Sequence, residues 1–387
     1  MSETVPPATT AQAPDEREPS PERQAELRTA YAANLAAAKA PYAGVALRTR
    51  GEFVWVLRER NWSGRYPFAE GTARPNLAGA VLHGIDLSQA ALNATNLSGA
   101  DLRGARLSGA LLRGAILSDT YLYQVDLSGT YLRFATLSGA FLREADLRGA
   151  DLRSVRMDVG TVLFGAALDA GTRLADVLWN GVPLTRIDWE QVRELGDQRV
   201  ARTPYDSEGR KKDAATRLQE YQGAVLAYRQ LATVLRSEGL SEPADRFAYR
   251  AQRLQRTVLR RQAFLRQKGH PVRLRRRIRY LAAAGGSLLL DGIAGYGYRP
   301  LRSVIAYVGI IGLFAGAFLL NGQFAAPHLR WDEALVLSIS SFHGRGFFTT
   351  GISLGDTLAR LAAGEAIIGL LIEITFIATF TQRFFAR

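Results

Sequence analysis

The stretch SISSFHGRGFFTTGISLGD, residues 338–356, has the spacing in this chain that most suggests chemistry. Two glycines bracket Arg345, His343 stands before them, and Phe347 and Phe348 follow. Glycine allows backbone conformations that turn peptide carbonyls or amides toward a ligand, and rings of basic side chains suit anions. Because an apolar segment lies on each side, we expect an ion-contacting loop between two membrane helices.

Other kinds of chemistry have little support in the sequence. The chain contains no cysteine, which excludes disulfides, thiol catalysis and thiolate metal sites. Its four histidines are scattered, and no pair has metal-ligand spacing. There is no nucleophile–base arrangement and no P-loop, and the glycines of HGRG do not follow a strand and open a helix as a phosphate cradle would. We therefore expect a protein that is not an enzyme and has no cofactor or metal.

Two apolar segments flank the loop. The segment 303–320 carries no charge and approaches the 20 or so residues that a bilayer crossing needs. The segment 358–385 is long enough to cross but contains Glu365 and Glu373, and ionisable residues inside a span usually face a bundle interior or a wet path. Glu365, Gly369 and Glu373 follow at intervals of four, so they share one stripe of a helix. We expect that stripe to face a pore or a partner subunit.

The formal net charge is +13, and the basic residues are almost all arginine. The densest basic run, RQKGHPVRLRRRIRY, stands directly before the apolar region, as expected for the cytoplasmic side of a span. Each basic residue near an anionic surface is worth about 1 kcal/mol. We expect the following residues to contact anionic lipid headgroups: Arg273, Arg275, Arg276, Arg277 and Arg279. An RNA-binding tract is the less favoured alternative, since the run lacks the interleaved aromatics that stack on bases, and we expect no nucleic-acid partner.

From Asn76 the sequence falls into units of five: NLAGA, DLSQA, NLSGA, DLRGA and so on. Leucine recurs at every fifth position from Leu77 to Leu152, and Met157 takes the next leucine slot. A period of five fits neither a helix nor a strand. It fits a coil in which each pentapeptide forms one side of a square, with leucines and small residues pointing inward. Such regular self-similarity indicates a solenoid in which neighbouring coils stabilise each other.

The repeats from Asn76 to Met157 resemble the pentapeptide-repeat family, whose motif is A-[D/N]-L-x-x. The resemblance implies a right-handed quadrilateral β-helix and little about function, because solenoids mostly supply surface. Some members of the family mimic DNA with an acidic face and bind gyrase. That role is not expected here, because the outward positions carry the following arginines: Arg103, Arg106, Arg113, Arg133, Arg143, Arg148 and Arg153.

The region from Trp331 onward resembles the two-span pore module of the potassium-channel superfamily. The resemblance makes WDEALVLSISS the pore helix, Gly369 the inner-helix bend, and the following residues the filter: Ser341, His343, Gly344, Arg345, Gly346, Phe347 and Phe348. Arg345 falls on the valine of the potassium signature and Phe348 replaces its second glycine, so the selectivity should not be potassium-like. Arg345 either lines the pore in a basic ring that favours anions or pairs behind the filter with Glu365.

The whole chain reads as a mixed fold. We expect a disordered N-terminus (1–21), a helical lead-in (22–75) and a β-helix with its C-terminal cap (76–195). A helical neck with a basic juxtamembrane segment (196–280) and a two-span transmembrane pore-loop domain (281–387) should follow. In the cap, Trp179, Leu184 and Trp189 should cover the last coil. In the neck, helically spaced apolar residues on both sides of Gly239 predict a helical hairpin.

These expectations describe an oligomeric membrane ion channel with a cytoplasmic pentapeptide-repeat domain that senses a stimulus or docks a partner or ligand. Two spans cannot enclose a water path alone, so oligomerisation is required, and the channel resemblance implies a homotetramer. Basic residues before the first span and at Arg383 and Arg387 place both termini in the cytoplasm of a multi-pass protein of the cell membrane. The alternative is a non-conducting membrane-anchored scaffold that presents the solenoid to a cytoplasmic partner.

Overall fold

The fold is known from a computed structural model, which describes residues 17–59, 75–206, 209–267, 270–271, 273–322, 329–344 and 357–384. The chain divides into two compact units, Met1–Ala251 and Gln252–Arg387. Most of the N-terminal segment for which disorder is predicted lies outside the described residues.

The described helices follow in chain order: α1 Pro21–Ala36, α2 Arg50–Glu59, α3 Gly196–Arg202, α4 Ala214–Ser237, α5 Ser241–Phe264, α6 Leu274–Ala294, α7 Pro300–Gly322, α8 Trp331–Phe342 and α9 Thr357–Phe384. A 3₁₀ turn, Gly295–Gly297, separates α6 from α7, and two short strands, β1 Arg266–Gln267 and β2 His270–Pro271, pair antiparallel. The expected break between α4 and α5 is present, and Gly239 adopts a φ of +77° there. That left-handed conformation suits glycine and ends a helix. Helices α2 and α3 lie inside the segments 22–75 and 196–280, which are expected to be helical, although neither helix is predicted individually, and the β1–β2 pair is not predicted.

Residues 76–156 form the predicted square coil. Parallel bridges join residues twenty positions apart, from Asn76↔Asn96 to Thr136↔Arg156, so each coil contains four pentapeptides. The leucines from Leu77 to Leu152 are buried. The β-helix prediction is therefore confirmed. Neighbouring coils are joined by single parallel bridges and not by longer strands.

Backbone hydrogen bonds between coils satisfy the peptide groups beside the leucine core. The Leu82 amide donates to the Asp101 carbonyl at 2.7 Å, and the same pattern repeats around the solenoid. Where threonine takes an inward small-residue slot, its hydroxyl also finds a partner: Thr120 Oγ1 donates to the Leu97 carbonyl at 2.9 Å. Buried polar groups need such partners because an unpaired one costs its full desolvation penalty.

The solenoid continues beyond Met157, where the sequence pattern loosens. The bridge from Phe141 reaches Val162, one residue beyond the regular interval. An aspartate absorbs the extra residue, because Asp158 Oδ1 accepts from the Gly139 amide at 2.9 Å. Asp169 makes the equivalent bond two sides later, where its Oδ1 accepts from the Gly149 amide. The inserted residues thus enlarge the turns and leave the inward-facing apolar side chains stacked in line.

The lead-in segment joins the solenoid more closely than predicted. Ala46 forms a parallel bridge to Val81, and Leu47 is buried. The Arg23 side chain binds Glu52 with Nε at 3.1 Å from Oε1 and also donates to the Ala46 carbonyl at 2.5 Å. The segment therefore caps the N-terminal end of the β-helix in addition to supplying helices α1 and α2.

The C-terminal cap agrees with the prediction, because Trp179, Leu184 and Trp189 are all buried. Helix α4 packs on this cap through Tyr228, whose hydroxyl accepts from the Leu195 amide at 2.9 Å. Burial raises the pKa of Tyr228 to about 12. The neutral phenol is therefore kept as a structural hydrogen-bonding group.

The second unit contains the apolar part of the chain. Among the described residues, one helix is long and apolar enough to cross a membrane, Leu301–Asn321 within α7. The second predicted span corresponds to α9, which carries both glutamates. Helix α6 runs through the boundary predicted at residue 280 and contains the C-terminal part of the basic run, residues 274–280. The two-span, multi-pass topology therefore remains a prediction.

A buried carboxylate joins α6 to its neighbours in this unit. Asp291 accepts from Arg256 of α5 at 3.0 Å and pairs with Arg302 of α7 at 3.4 Å. Arg302 also donates to the Asp291 carbonyl at 3.1 Å. Truncation of a buried, hydrogen-bonded charge leaves its partners unpaired, so Asp291 links Arg256 to α6 and α7 within the second unit.

An ion cluster stands near the C-terminal end of the solenoid. Asp151 Oδ1 accepts from Arg153 Nε at 2.7 Å, and Asp151 Oδ2 lies 3.3 Å from Arg173 Nη1. Burial acts to raise the pKa of Asp151, but the hydrogen bond from Arg153 and the charges of Arg173 and Arg153 outweigh it, so the pKa falls below its usual value. Burial raises the pKa of the neighbouring Asp197.

Replacing Asp151 should change the acid dependence of stability. A depressed carboxyl pKa contributes stability above the unfolded value of about 3.9, and that stability is lost as pH falls through the folded value. We expect Asp151→Asn to lower the free energy of unfolding at pH 7 by roughly 3 kcal/mol and to flatten its decline in acid. The Asp101→Asn control, which breaks the more exposed pair with Arg103, should cost under about 1 kcal/mol. Thermal unfolding across pH measures both, and equal effects would contradict the cluster's role.

Two neighbouring leucines provide a matched test of the solenoid core. Leu112 is fully buried in the inward column, whereas Leu111 beside it is 38% exposed. Leu112→Ala should cost about 2–5 kcal/mol because it removes buried methyl groups and leaves a cavity. Leu111→Ala should cost well under half as much. Denaturant unfolding of both variants measures the difference, and a similar loss in each would refute the assigned inward direction.

Candidate functional site

The short helix α8 packs between α7 and α9. Two buried apolar clusters hold the three helices together: Phe318, Ala334 and Ala362 at the start of α8, and Ile311, Phe342 and Ile372 at its end. Helix α8 therefore runs antiparallel to α7 and parallel to α9.

The end of α8 lies deep along α7. Its first turn packs at Phe318, whereas the ring of Phe342 lies 4.7 Å from that of Tyr307. At 1.5 Å per residue, Phe318 and Tyr307 are separated by about 16 Å along α7. Helix α8 thus enters from the C-terminal end of α7 and passes beyond its middle.

A serine and a glutamate form the polar contact inside this bundle. Ser338 Oγ lies 2.9 Å from the Ile311 carbonyl and 2.5 Å from Glu365 Oε1, and both side chains are fully buried. A serine hydroxyl has one proton but faces two acceptor oxygens here, so one of the two bonds needs a proton from Glu365. The geometry therefore fits a neutral Glu365 that donates to Ser338 while Ser338 donates to Ile311. The other oxygen, Oε2, has no partner among the described residues.

Glycine 369 brings the backbones of α8 and α9 together. A Cβ built at this position would lie 2.1 Å from the Phe342 carbonyl oxygen and 3.0 Å from the Phe342 ring. Any side chain would push the end of α8 away from α9. Gly369 thus permits close packing against the end of α8, which the sequence did not predict, and the inner-helix bend at Gly369 stays a prediction.

His343 follows α8 and connects it to both longer helices. Its Nδ1 lies 2.7 Å from the Ile339 carbonyl and therefore donates, because a carbonyl only accepts. In the neutral ring, Nε2 then accepts from the Tyr307 hydroxyl at 3.0 Å. Glu373 Oε1 lies 3.4 Å from the same nitrogen and forms an ion pair with His343 only when the ring is protonated.

Tyr307 and Glu373 also line a cavity of about 500 Å³ between α7 and α9, with Val304, Phe376 and Ile377 as its apolar walls. Glu373 is the acidic residue of that lining, and His343 is its ionisable neighbour.

The three residues of the predicted stripe lie on one side of α9, and the expectation that this side faces a pore or a partner subunit stays a prediction. Glu365 and Gly369 both face α8 of the same chain, and Glu373 faces His343. The spacing placed the three residues on one side of a helix correctly. It could not show that the chain's own short helix occupies that side.

The predicted filter is only partly described. Ser341 is buried, with no partner for its hydroxyl among the described residues, and Gly344 ends the described segment with a φ of +68°. The other filter residues lie outside the described residues: Arg345, Gly346, Phe347 and Phe348. The two alternatives for Arg345 therefore both stay predictions.

Ser338 and Tyr307 were not singled out from the sequence. A signal for Ser338 exists, because Ser338 and Ser341 are three residues apart on an otherwise apolar helical face. No local signal marks Tyr307, since its role depends on the depth that α8 reaches.

The basic residues named for lipid contact cluster at the start of α6. Arg273 precedes the helix, the others lie in its first two turns, and all five are exposed. The N-terminal end of a helix carries a partial positive charge, so arginines are unfavourable there without a nearby anion.

In the described part of the chain, no group of three or more acidic or histidine side chains could hold a metal.

Comparison with known proteins identifies the family of the solenoid. The parallel-bridged square coil is a β-helix, and the family model for pentapeptide repeats matches it with eight copies over residues 76–114 and 115–153. This part of the chain is thus a pentapeptide-repeat domain. The family match does not extend to the apolar unit, and no curated protein matches the chain.

Three solved structures share similarity with part of the chain. A pentapeptide repeat protein from the thylakoid lumen of Arabidopsis thaliana is 25% identical over 38% of this chain and 90% of its own, with a TM-score of 0.22. Rfr23 from the cyanobacterium Cyanothece 51142 is 30% identical over 30% of this chain and 71% of its own, with a TM-score of 0.19. A pentapeptide repeat protein from Nostoc PCC 7120 is 38% identical over 23% of this chain and 77% of its own, also with a TM-score of 0.19.

Two glycines of α9 test the α8–α9 contact. Gly369→Ala should destabilise the apolar unit by roughly 1–3 kcal/mol, because its new methyl group meets backbone. Gly364→Ala is the matched control, since a Cβ there meets nothing within 4 Å. Alanine favours a helix by up to about 1 kcal/mol over glycine, so the control should be neutral or stabilising. Thermal unfolding in detergent compares them, and a stable Gly369→Ala variant would contradict the close approach.

Proposed function

We propose that the protein is an oligomeric membrane ion channel, in which several copies of α7, α8 and α9 surround a pore and the pentapeptide-repeat domain senses or docks a cytoplasmic component. One observation carries the proposal. A short helix enters between two longer ones and ends at the level of Tyr307, beyond the middle of the apolar helix α7.

A helix that ends inside a bilayer creates a hydrogen-bonding problem. The last four carbonyls of any helix have no partner in that helix. Within a bilayer, such backbone groups are tolerated only where they are buried in protein or line a wet cavity. Two of these carbonyls have partners in the same chain, because Ile339 accepts from His343 Nδ1 and Ser341 from the Gly344 amide. In the proposed channel, a water-filled path or neighbouring copies serve the others.

The ends of the next connection support the same interpretation. Gly344 follows α8 near the level of Tyr307, whereas Leu358 at the start of α9 packs with the Phe318 cluster. The chain thus leaves one depth of the bundle and resumes at another. An entering helix followed by a returning segment is the arrangement that the pore-loop resemblance implies.

The surface of a single copy is consistent with burial in lipid or against other copies. Large apolar side chains are exposed along α7 and α9: Val304, Ile305, Val308, Leu313, Ile367, Leu370, Leu371, Ile374 and Ile377. Exposed apolar surface of this extent marks an interaction with protein or membrane. The proposed assembly is a homotetramer, by the channel resemblance.

The proposal places the protein in the cell membrane as a multi-pass protein with both termini in the cytoplasm. Anionic headgroups would bind the arginines at the start of α6, where a negative charge also compensates the helix dipole. The permeant ion is proposed to differ from potassium, since Arg345 stands where the potassium signature has valine.

A non-conducting anchored scaffold is the second candidate. It is favoured by the family match, which is confined to the repeats, and by α7 as the one described helix that meets the length and composition of a span. In that case α8 and α9 would only brace the anchor, and the solenoid would be the functional part.

Reconstitution of the full chain into planar bilayers tests the channel. We expect discrete current steps, a cation-to-anion permeability ratio that changes in Arg345→Ala, and no change in the Arg210→Ala control, whose side chain is exposed in the first unit. Light scattering of the detergent complex should give the mass of four copies. A monomer, or inserted protein that passes no current, would leave the scaffold as the function.

A further inference from the structure

One side of the solenoid carries exposed aromatic and basic residues together. The bridge column Leu111↔Tyr131↔Asp151 marks this side on three consecutive coils. We define the arginine–aromatic face by five residues on two of those coils: Leu111, Arg113, Tyr131, Arg133 and Phe134. Its apolar members are open to solvent, with Tyr131 53% and Phe134 45% exposed.

A column of three arginines crosses this side. Arg113, Arg133 and Arg153 recur at the one-coil interval, and neighbouring coils are about 5 Å apart. Arg153 has its counterion, because Asp151 accepts from its Nε at 2.7 Å. Arg133 has no carboxylate within 4 Å in the described part of the chain, and its Nε is buried without an acceptor.

The neighbouring arginines affect the acidity of the Arg133 guanidinium. Burial, and then the charges of Arg153 and Arg113, lower the pKa of the Arg133 guanidinium and outweigh the opposite effect of Asp151 and Asp176. The group remains cationic at any physiological pH. An anion placed beside Arg133 would relieve this repulsion.

The aromatic ring of Phe134 packs against the guanidinium groups of Arg113 and Arg133 and does not accept their hydrogen bonds. Arg133 Cζ lies 4.7 Å and Arg113 Cζ 5.3 Å from the ring centroid. A ring attracts a guanidinium through its π face but offers little as a hydrogen-bond acceptor. The planar donors of Arg133 therefore suit bidentate binding of a carboxylate from outside.

The opposite side of the solenoid is a useful contrast. Tyr121 and Phe141 are also exposed there, with their rings stacked at 5.3 Å. The arginines of that side have acids of their own, however, because Arg103 pairs with Asp101 and Arg143 with Glu144. Exposed aromatics thus occur on both sides, and the arginine–aromatic face differs in having an arginine, Arg133, with no carboxylate within 4 Å among the described residues.

We propose that the arginine–aromatic face binds an acidic segment of a partner protein, with carboxylates on the arginine column and an apolar side chain against Tyr131 and Phe134. Arginine and aromatic residues are the ones that dominate protein interfaces. Nucleic acid fits less well, because two guanidinium groups already lie against the Phe134 ring on which a base would stack. The inference rests on the docking role in the proposed function and does not depend on conduction.

Binding of a fluorescent glutamate–tyrosine copolymer to the full chain in detergent tests this inference. Arg133→Glu should weaken binding at least about tenfold, since it puts a like charge against the carboxylates. The matched control is Arg143→Glu on the opposite side, which makes the same charge change beside an aromatic ring and should leave binding within about twofold. The control also corrects for attraction of the polymer to the basic segment of α6.

A photo-crosslinker at either tyrosine locates the contact without altering charge. Crosslinking to the copolymer should occur from position 131 and not from position 121, which is similarly exposed at 49%. Equal effects of the two arginine variants, or equal crosslinking from both positions, would overturn the proposal. So would displacement of the copolymer by inorganic phosphate or phosphatidylglycerol vesicles at matched charge. Because no current is measured, a failure here is separate from a failure of the channel.

Discussion

The bond from each inward leucine amide to the carbonyl of the next coil is the interaction on which the first unit depends, as Leu82 to Asp101 illustrates. A side of five residues is too short to form an independent strand, so its peptide groups are satisfied only when another coil stacks on it. Stacking in turn aligns the leucines into one dry column. The hydrophobic core and the hydrogen-bond ladder therefore cannot form separately, which is why both ends of the solenoid need caps.

In the apolar unit, the same need for hydrogen-bonded peptide groups makes the position of the short helix α8 important. A twelve-residue helix does not span a bilayer, and α8 is held at its depth by contacts that suit little else. Ser338 and Glu365 form a buried polar link to α9, and Gly369 allows the α8 backbone to approach. Both contacts lie between α8 and α9 of the same chain, so they hold α8 inside the bundle.

Charge has a different role in each part of the chain. Asp151 and Asp291 each gather arginines at a buried junction, where pairing keeps the cost of burial low. Among the described residues, Arg133 of the arginine–aromatic face and the five arginines at the start of α6 have no carboxylate within 4 Å. Those two surfaces are where an anionic lipid and an acidic protein segment are proposed to bind.

The period of five determined the solenoid by itself, because a repeat that matches neither helix nor strand leaves a stacked coil as the way to bury every leucine. The hairpin of α4 and α5 and the tryptophan cap were also readable, since each follows from local spacing. The sequence placed Glu365, Gly369 and Glu373 on one side of a helix, but what they face is a long-range contact. Only the tertiary structure brought Ser338, Phe342 and His343 against them, because the depth at which a short helix enters a bundle depends on packing between distant segments and has no periodic signature.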